Sequence, residues 1–300
     1  MKRRQFIQTL GILGCTPALA RMDWLFPKDT TIHIFHTNDT HSRIDPFPAS
    51  DKRNGGKAGV ARRATLFKQF RKQYPHTLFV DAGDVFQGTP YFNYYEGKLE
   101  YRLMSELGYD VATLGNHDFD NGVDKLLAAM QEARFEFVCA NYEITNPLLR
   151  TRVHPYQVVE KAGVRIGIFG LGVTFKGLVT PDNHIGVMYH EPVDVARRTA
   201  DLLRTTENCQ VVVCLSHLGI DGASGEAGDI HVANQVSGID VIIGGHSHTF
   251  MDSPLMVTAP DGWQTMIHQV GFAGLRVGHI MLELDGNGRA HTTGGHYEVG

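Results

Sequence analysis

The stretch VIIGGHSH, residues 241–248, sets three β-branched apolar residues against a double glycine and two histidines one residue apart. A short β-branched run bounded by glycine reads as a buried strand. Open α/β sheets bind ligands just beyond the carboxyl ends of their strands. The stretch therefore predicts both a sheet and a polar edge. Further strand candidates lie at residues 31–37, 77–80, 111–114, 136–140, 164–170 and 211–215. Helical periodicity fills the intervals: Val60, Ala64 and Phe67 within 58–72, Leu99, Leu103 and Leu107 within 99–107, Val123, Leu127 and Met130 within 123–133, and Val195, Thr199 and Leu202 within 192–206. Strands alternating with helices argue an α/β architecture with helices covering the sheets. Past residue 260 the character changes. Turn signals at 260–262 and 285–288 separate runs at 265–270, 277–284 and 289–299, read as antiparallel hairpins closing a second sheet.

Five strand candidates deliver the same chemistry at their ends. Residues 31–37 lead to Asn38-Asp39-Thr40-His41, 77–80 to Asp81-Ala82-Gly83-Asp84, and 111–114 to Gly115-Asn116-His117-Asp118. Residues 211–215 lead to Ser216-His217, and 241–243 to the histidine pair. Nothing comparable follows 164–170. Strand ends along one sheet edge can converge on a small volume, and a scatter of surface polar residues would not favour that edge five times. Imidazoles, carboxylates and one amide suit Zn, Mn or Fe. Seven such side chains exceed one four-coordinate ion but serve two if a carboxylate bridges them, the arrangement used for in-line displacement at phosphorus. Alternate residues of an extended segment project alike, so Asp39 with His41, and His246 with His248, are expected to point inward together.

Composition narrows the class. Three hundred residues, 42% hydrophobic and 20% charged, form a soluble globular chain with ample core. A net charge of −4 without a long basic block argues against a nucleic-acid partner. The basic residues between Lys52 and Lys72 read as a solvated helix face. Sixteen histidines are many for this length. His33 and His36 are expected to pack within their strand, and His154, His184, His190, His231, His268, His279, His291 and His296 lack a strand-end Asp or Asn neighbour. Gly55-Gly56 is a weak phosphate-approach candidate, and Gly271-Phe272 reads as structural filling near the cleft.

Residues 1–20 read as an export signal. Lys2-Arg3-Arg4 is a basic start, residues 6–20 are apolar but too short for a stable span, and Ala18-Leu19-Ala20 is a cleavage signal. Arg3-Arg4 is twin-arginine-like, and residues 12–15 form a loose lipoprotein box that would make Cys15 a lipid anchor, the one membrane attachment expected. The product is periplasmic or anchored at a bacterial envelope. Cys139, Cys209 and Cys214 read as buried, inert thiols rather than a disulfide framework.

HTNDTH (36–41), GDVFQG (83–88), GNHDFDNG (115–122), SHLG (216–219) and GGHSH (244–248), in this order, resemble the calcineurin-like metallophosphoesterases and, within them, the 5′-nucleotidase family. The resemblance implies a four-layer sandwich of two mixed β-sheets flanked by helices, with a dinuclear metal site at strand C-terminal ends. It implies that Asp39, His41 and His248 hold one divalent ion, that Asn116, His217 and His246 hold the other, and that Asp84 bridges them. A hydroxide held by the pair would attack phosphorus. His117 and Asp120 look like the family's catalytic dyad, Asp120 fixing the imidazole tautomer and His117 donating to a phosphoryl or leaving oxygen.

Residues 28–300 are thus expected to be a catalytic domain of a metal-dependent phosphoric ester hydrolase of 5′-nucleotidase type. The family usually continues into a C-terminal nucleotide-specificity domain, which this sequence, read to Gly300, is expected to lack. Asp118 stands where Glu is frequent, and Ser42 where Gly is. Three alternatives stand beside the leading function: a catalytic subunit inactive on nucleotides until a separately encoded substrate-binding chain joins, a 2′,3′-cyclic nucleotide or nucleotide-sugar phosphodiesterase, and a metal-scavenging protein. The last has no need of the dyad.

Overall fold

The computed structural model describes residues 31–222, 225–285 and 289–300. The expected export signal, Cys15 and most of the turn at 285–288 lie outside the described residues.

The first half of the chain runs β1 (Thr31–Thr37), α1 (Val60–Gln73), β2 (Thr77–Asp81), α2 (Pro90–Tyr95), α3 (Lys98–Leu107), β3 (Val111–Ala112), α4 (Gly122–Met130), β4 (Glu136–Val138), β5 (Tyr142–Ile144) and β6 (Val153–His154). It continues through β7 (Tyr156–Lys161), β8 (Val164–Leu171), β9 (Val187–Tyr189), α5 (Pro192–Thr205), β10 (Val211–Ser216), α6 (Asp229–Gln235) and β11 (Val241–Gly244). Four strands close it: β12 (Leu255–Thr258), β13 (Gln264–His268), β14 (Arg276–Leu284) and β15 (Ala290–Glu298). Helix ends follow local chemistry. Pro192 opens α5, where its missing N–H costs nothing, and Gly108 ends α3 in a left-handed conformation (φ 72°) that returns its N–H to the last turn.

Two mixed sheets, ordered β15-β14-β1-β2-β3-β4-β6 and β12-β13-β11-β10-β8-β7, pack face to face. Period-2 alternation makes the layers. Ile32 and Ile34 of β1 meet Val213, Leu215, Val241 and Ile243 of the second sheet in a shared core. The alternate residue Phe35 instead faces α1 and α3 with Phe67, Phe70 and Met104. On the other side Val212, Cys214 and Ile242 face α5 and α6 with Ala200, Leu203 and Val232. Helix, sheet, sheet and helix give four layers. Truncating Ile34 or Ile243, both fully buried, to alanine would cost about 2–5 kcal/mol.

Several expectations are corrected. The late hairpins do not both close the second sheet: β12 and β13 extend it, while β14 joins β1 antiparallel and extends the first. Each run carries the same alternating pattern, so periodicity alone does not say which sheet receives it. The strand at 111–114 shortens to Val111–Ala112; just beyond it Thr113 still bonds the Asp81 carbonyl through its N–H and the Val138 carbonyl through its hydroxyl. The edge strand β7 is an addition to the expected set; half-buried along most of its length, it lacks a clear apolar face. The α1 face is not wholly solvated either: Arg63 is buried, and Arg71 donates to the carbonyls of Leu107 and Gly108. Cys139, Cys209 and Cys214 are free and buried. Among the described residues, no helix is long and apolar enough to cross a membrane.

Candidate metal centre

The polar strand ends meet, but from two sheets rather than one. β1, β2 and β3 bring Asp39, His41, Asp84 and Asn116 from the first sheet, while β10 and β11 bring His217, His246 and His248 from the second. Parallel strands in both sheets end on the same edge, so the facing sheets share it. Asp39 and His41 point into one donor set as expected, whereas His246 and His248 enter different ones, and neither pair is aimed by an extended segment. Asp39, His41, Asp84, His246 and His248 all have φ between 48° and 68°, a left-handed conformation that costs a non-glycine residue about 1–2 kcal/mol. Tight left-handed turns aim these side chains, and the two histidines of GGHSH part company into different donor sets. Strain concentrated on chemically active residues marks a site built for function.

Asp39, His41 and His248 form the first set, with candidate ligand atoms within 4.8 Å of one another. His248 Nε2 lies 3.2 Å from Asp39 Oδ1 and 2.9 Å from His41 Nε2. His41 Nδ1 sits 3.1 Å from the Phe86 carbonyl, which places its proton there and its lone pair on Nε2. Burial pushes the His41 pKa below its usual value, so the ring is a neutral donor. Two imidazole nitrogens facing one carboxylate oxygen is an arrangement a cation satisfies.

Asp84, His217 and His246 form the second set, again within 4.8 Å. The His217 Nδ1 donates to the Ala82 carbonyl at 2.7 Å, turning Nε2 towards Asp84 Oδ2 at 3.1 Å. That contact lacks hydrogen-bonding geometry, and His217 Nε2 and Asn116 Oδ1 are buried without a hydrogen-bond partner among the described residues. Orphaned buried polar atoms are costly, and both are the atoms a metal would take. Burial lowers the His217 pKa, but the Asp84 carboxylate outweighs it and lifts it to about 10. Burial and then His217 hold His246 down to about 4, again a neutral imidazole. The sets adjoin: the His246 backbone N–H donates to both Asp39 oxygens at 3.0 and 3.1 Å.

His117 stands beside them. Its backbone N–H donates to Asp84 Oδ1 at 2.8 Å, its ring packs edge-on to His41 at 5.4 Å, and its Nδ1 lies 2.8 Å from Asp120 Oδ2. The hydrogen bond with Asp120 raises its pKa. Both side chains remain partly exposed. Asp120 makes no cap to α4, whose N-cap is Asn121.

Residues outside the expected ligand set hold the loops. Asp118, read from the sequence only as a departure from the family, accepts backbone N–H groups of Gly115, Asp84 and Val85 at 2.8, 3.1 and 3.2 Å. It ties the β2 loop to the β3 loop, and burial followed by the Asp84 charge pushes its pKa up to about 7. Asn38 donates to Asp39 and to the Gly271 carbonyl, both at 2.6 Å. Gln269 donates to the Gly245 carbonyl at 2.8 Å. Phe272, expected as filling, stacks on His248 with centroids 5.2 Å apart. The position of Asn38 within the HTNDTH string is a usable signal; Gln269 carries none. Gly55 and Gly56 spend their N–H groups on the turn, towards Asp51 and Phe47. His33 and His36 are buried and pair with His279 and His268, each at 2.9 Å.

Comparison with known proteins identifies the family. The calcineurin-like phosphoesterase family profile matches residues 32–250, and the chain belongs to that family. It is 32% identical to the 5′-nucleotidase of Bos taurus over 93% of this chain and 51% of that protein. Among solved structures it resembles a 5′-nucleotidase precursor from Thermus thermophilus (TM-score 0.82, 33% identity, covering 90% of this chain and 55% of that one). It also resembles the NAD nucleotidase of Haemophilus influenzae (TM-score 0.80, 25% identity, 91% and 51%). The chain spans about half the length of the curated relatives it matches.

Proposed function

Taking membership of the calcineurin-like phosphoesterases as the premise, we propose that this chain is a metal-dependent hydrolase of nucleotides or related small phosphoesters. Asp39, His41 and His248 would hold one divalent ion and Asn116, His217 and His246 a second, with Asp84 serving both. The single observation that carries the reading is the pair of adjoining donor sets, each within 4.8 Å, flanked by a His–Asp pair. Divalent ions held there supply Lewis-acid stabilisation of phosphoryl oxygens and a nucleophile formed from water at neutral pH. The chain's own residues do the rest. Backbone carbonyls of Phe86 and Ala82 orient the imidazoles, Asp120 keeps the His117 tautomer, and His117 donates a proton from its free Nε2 to the leaving oxygen.

The mixture of imidazole, carboxylate and amide fits Mn, Zn or Fe. The leader-like residues 1–20 support export to a bacterial periplasm, free or anchored through Cys15. A second reading is that a substrate-binding unit outside the catalytic domain, such as a separately encoded chain, completes recognition of the nucleotide.

The test is a substrate panel with metal analysis of the purified chain. Hydrolysis of AMP by Mn- or Zn-loaded protein, abolished by chelator, is the expected result. Activity on AMP only with a co-expressed neighbouring chain favours the second reading. No phosphoester hydrolysis under any loading overturns both.

A further inference from the structure

We propose that Phe272 is a positioning residue for His248, holding the imidazole plane with its ring face where His41 and His217 use a backbone carbonyl. The inference rests on the donor-set reading above and adds to it a residue that belongs to neither set.

A histidine ligand is most effective when its ring is already turned towards the ion, and its second nitrogen is the usual handle. His41 and His217 have that handle: their Nδ1 atoms sit 3.1 and 2.7 Å from the carbonyls of Phe86 and Ala82. Among the described residues no hydrogen bond holds His248 Nδ1. Its Nε2 faces Asp39 Oδ1 at 3.2 Å and His41 Nε2 at 2.9 Å, both inside the donor set. The side chain is also the most open of the three, at 41% exposure against 12% for His41 and 0% for His217. An unheld imidazole there would turn about its broad last torsion, and ordering it would weaken binding.

Phe272 supplies the missing restraint. Its ring lies 17° from the His248 plane with centroids 5.2 Å apart, within the stacked range that aromatic pairs favour. Phe250 backs it edge-on at 5.8 Å. The backbone around Phe272 is set for this contact. Gly271 and Ala273, on either side, have φ of 81° and 56°, and a left-handed alanine is uncommon. The Gly271 N–H donates at 3.0 Å to the carbonyl of Thr249, one residue past His248. The Ala273 N–H donates to the Asp39 carbonyl at 2.7 Å. A Cβ at position 271 would strike the Phe250 ring. The loop that carries Phe272 is thus tied to the segments of two members of the first set. That registry separates a positioning contact from mere filling.

Titration of the full chain with Mn, followed by the free-ion EPR signal, tests this without substrate. Phe272→Ala should weaken one of the two binding steps by about tenfold and leave the other unchanged. The weakened step should be the one that survives His217→Ala and disappears in His248→Ala. Phe272→Leu, which keeps bulk without a flat face, should weaken the same step, and Phe272→Tyr should restore it. Two unchanged steps in Phe272→Ala overturn the proposal. So does equal weakening of both steps, or wild-type binding by Phe272→Leu, either of which makes the ring a packing element. If the wild-type chain takes up no Mn, the donor-set reading fails and the positioning role with it. Two bound ions without phosphoester hydrolysis would sink the hydrolase reading alone, and the comparison of binding steps would still decide Phe272.

Discussion

His117 Nδ1 and Asp120 Oδ2 are 2.8 Å apart across a single turn, with the His117 backbone N–H held on Asp84. The imidazole is thus fixed at both ends of its residue, beside the donor sets and outside them. Replacing His117 by alanine should cut turnover by about 10²–10⁴-fold and leave two ions bound. Kinetics and metal content of the same preparation check it, and loss of metal would show that His117 is itself a ligand.

His217→Ala should lose the ion of the second set and keep that of the first, because Asp39, His41 and His248 are untouched. Asp84→Ala should weaken both. Metal content after exhaustive dialysis distinguishes the two outcomes, and equal loss in the two variants would contradict the bridging role.

Asp118→Ala leaves four backbone N–H groups, those of Asp84, Val85, Phe86 and Gly115, without their acceptor, at about 1–3 kcal/mol for each well-formed bond. A loss of about 3 kcal/mol or more is expected, a fall in Tm of roughly 6–12 °C, together with weaker metal retention. Asp118→Asn, which keeps one acceptor oxygen, should fall between. Thermal denaturation measures it.

Gly245→Ala would place its Cβ 2.8 Å from both the Ala82 carbonyl and His217 Nδ1. Neither can retreat without breaking the bond that orients His217. Metal binding should drop sharply with the fold intact, visible as lost metal content against unchanged far-ultraviolet circular dichroism.

Asp229, which accepts from Ser216 next to His217 but is outside the candidate ligand set, offers a pH test. Burial pushes its pKa up to about 7. Unfolded, the carboxyl loses its proton near 3.8; folded, it keeps it to about 7, so the folded state binds more protons between those values. The contribution is complete below the unfolded value and lost as pH rises to about 7, on the order of 4 kcal/mol at most. Asp229→Asn removes this dependence. Its stability relative to wild type should climb from about pH 4 to 7 and then level off in denaturant titrations.

Much of the site was legible because a chemical residue after an apolar run needs no tertiary knowledge to be noticed. Asp39, Asp84 and His217 each follow a run that burial alone would mark as a strand. What escaped reading depends on contacts distant in sequence. The switch of β14 to the first sheet is decided by its pairing with β1, at the opposite end of the described chain. Gln269 matters only because the Gly245 carbonyl ends beside it. The left-handed turns at Asp39 and His246 break the extended spacing that the strings invited, since φ at these residues is set by the loops that hold them.

Each donor set draws on both sheets: Asp39 and His41 with His248, and Asp84 with His217 and His246. A bound cation would therefore staple the sandwich along one rim of its seam. Chelation and docking of the two halves become a single event, so a half-assembled chain is blind to metal. Loading would report that folding is complete, and stripping the ions should loosen that rim before the opposite one.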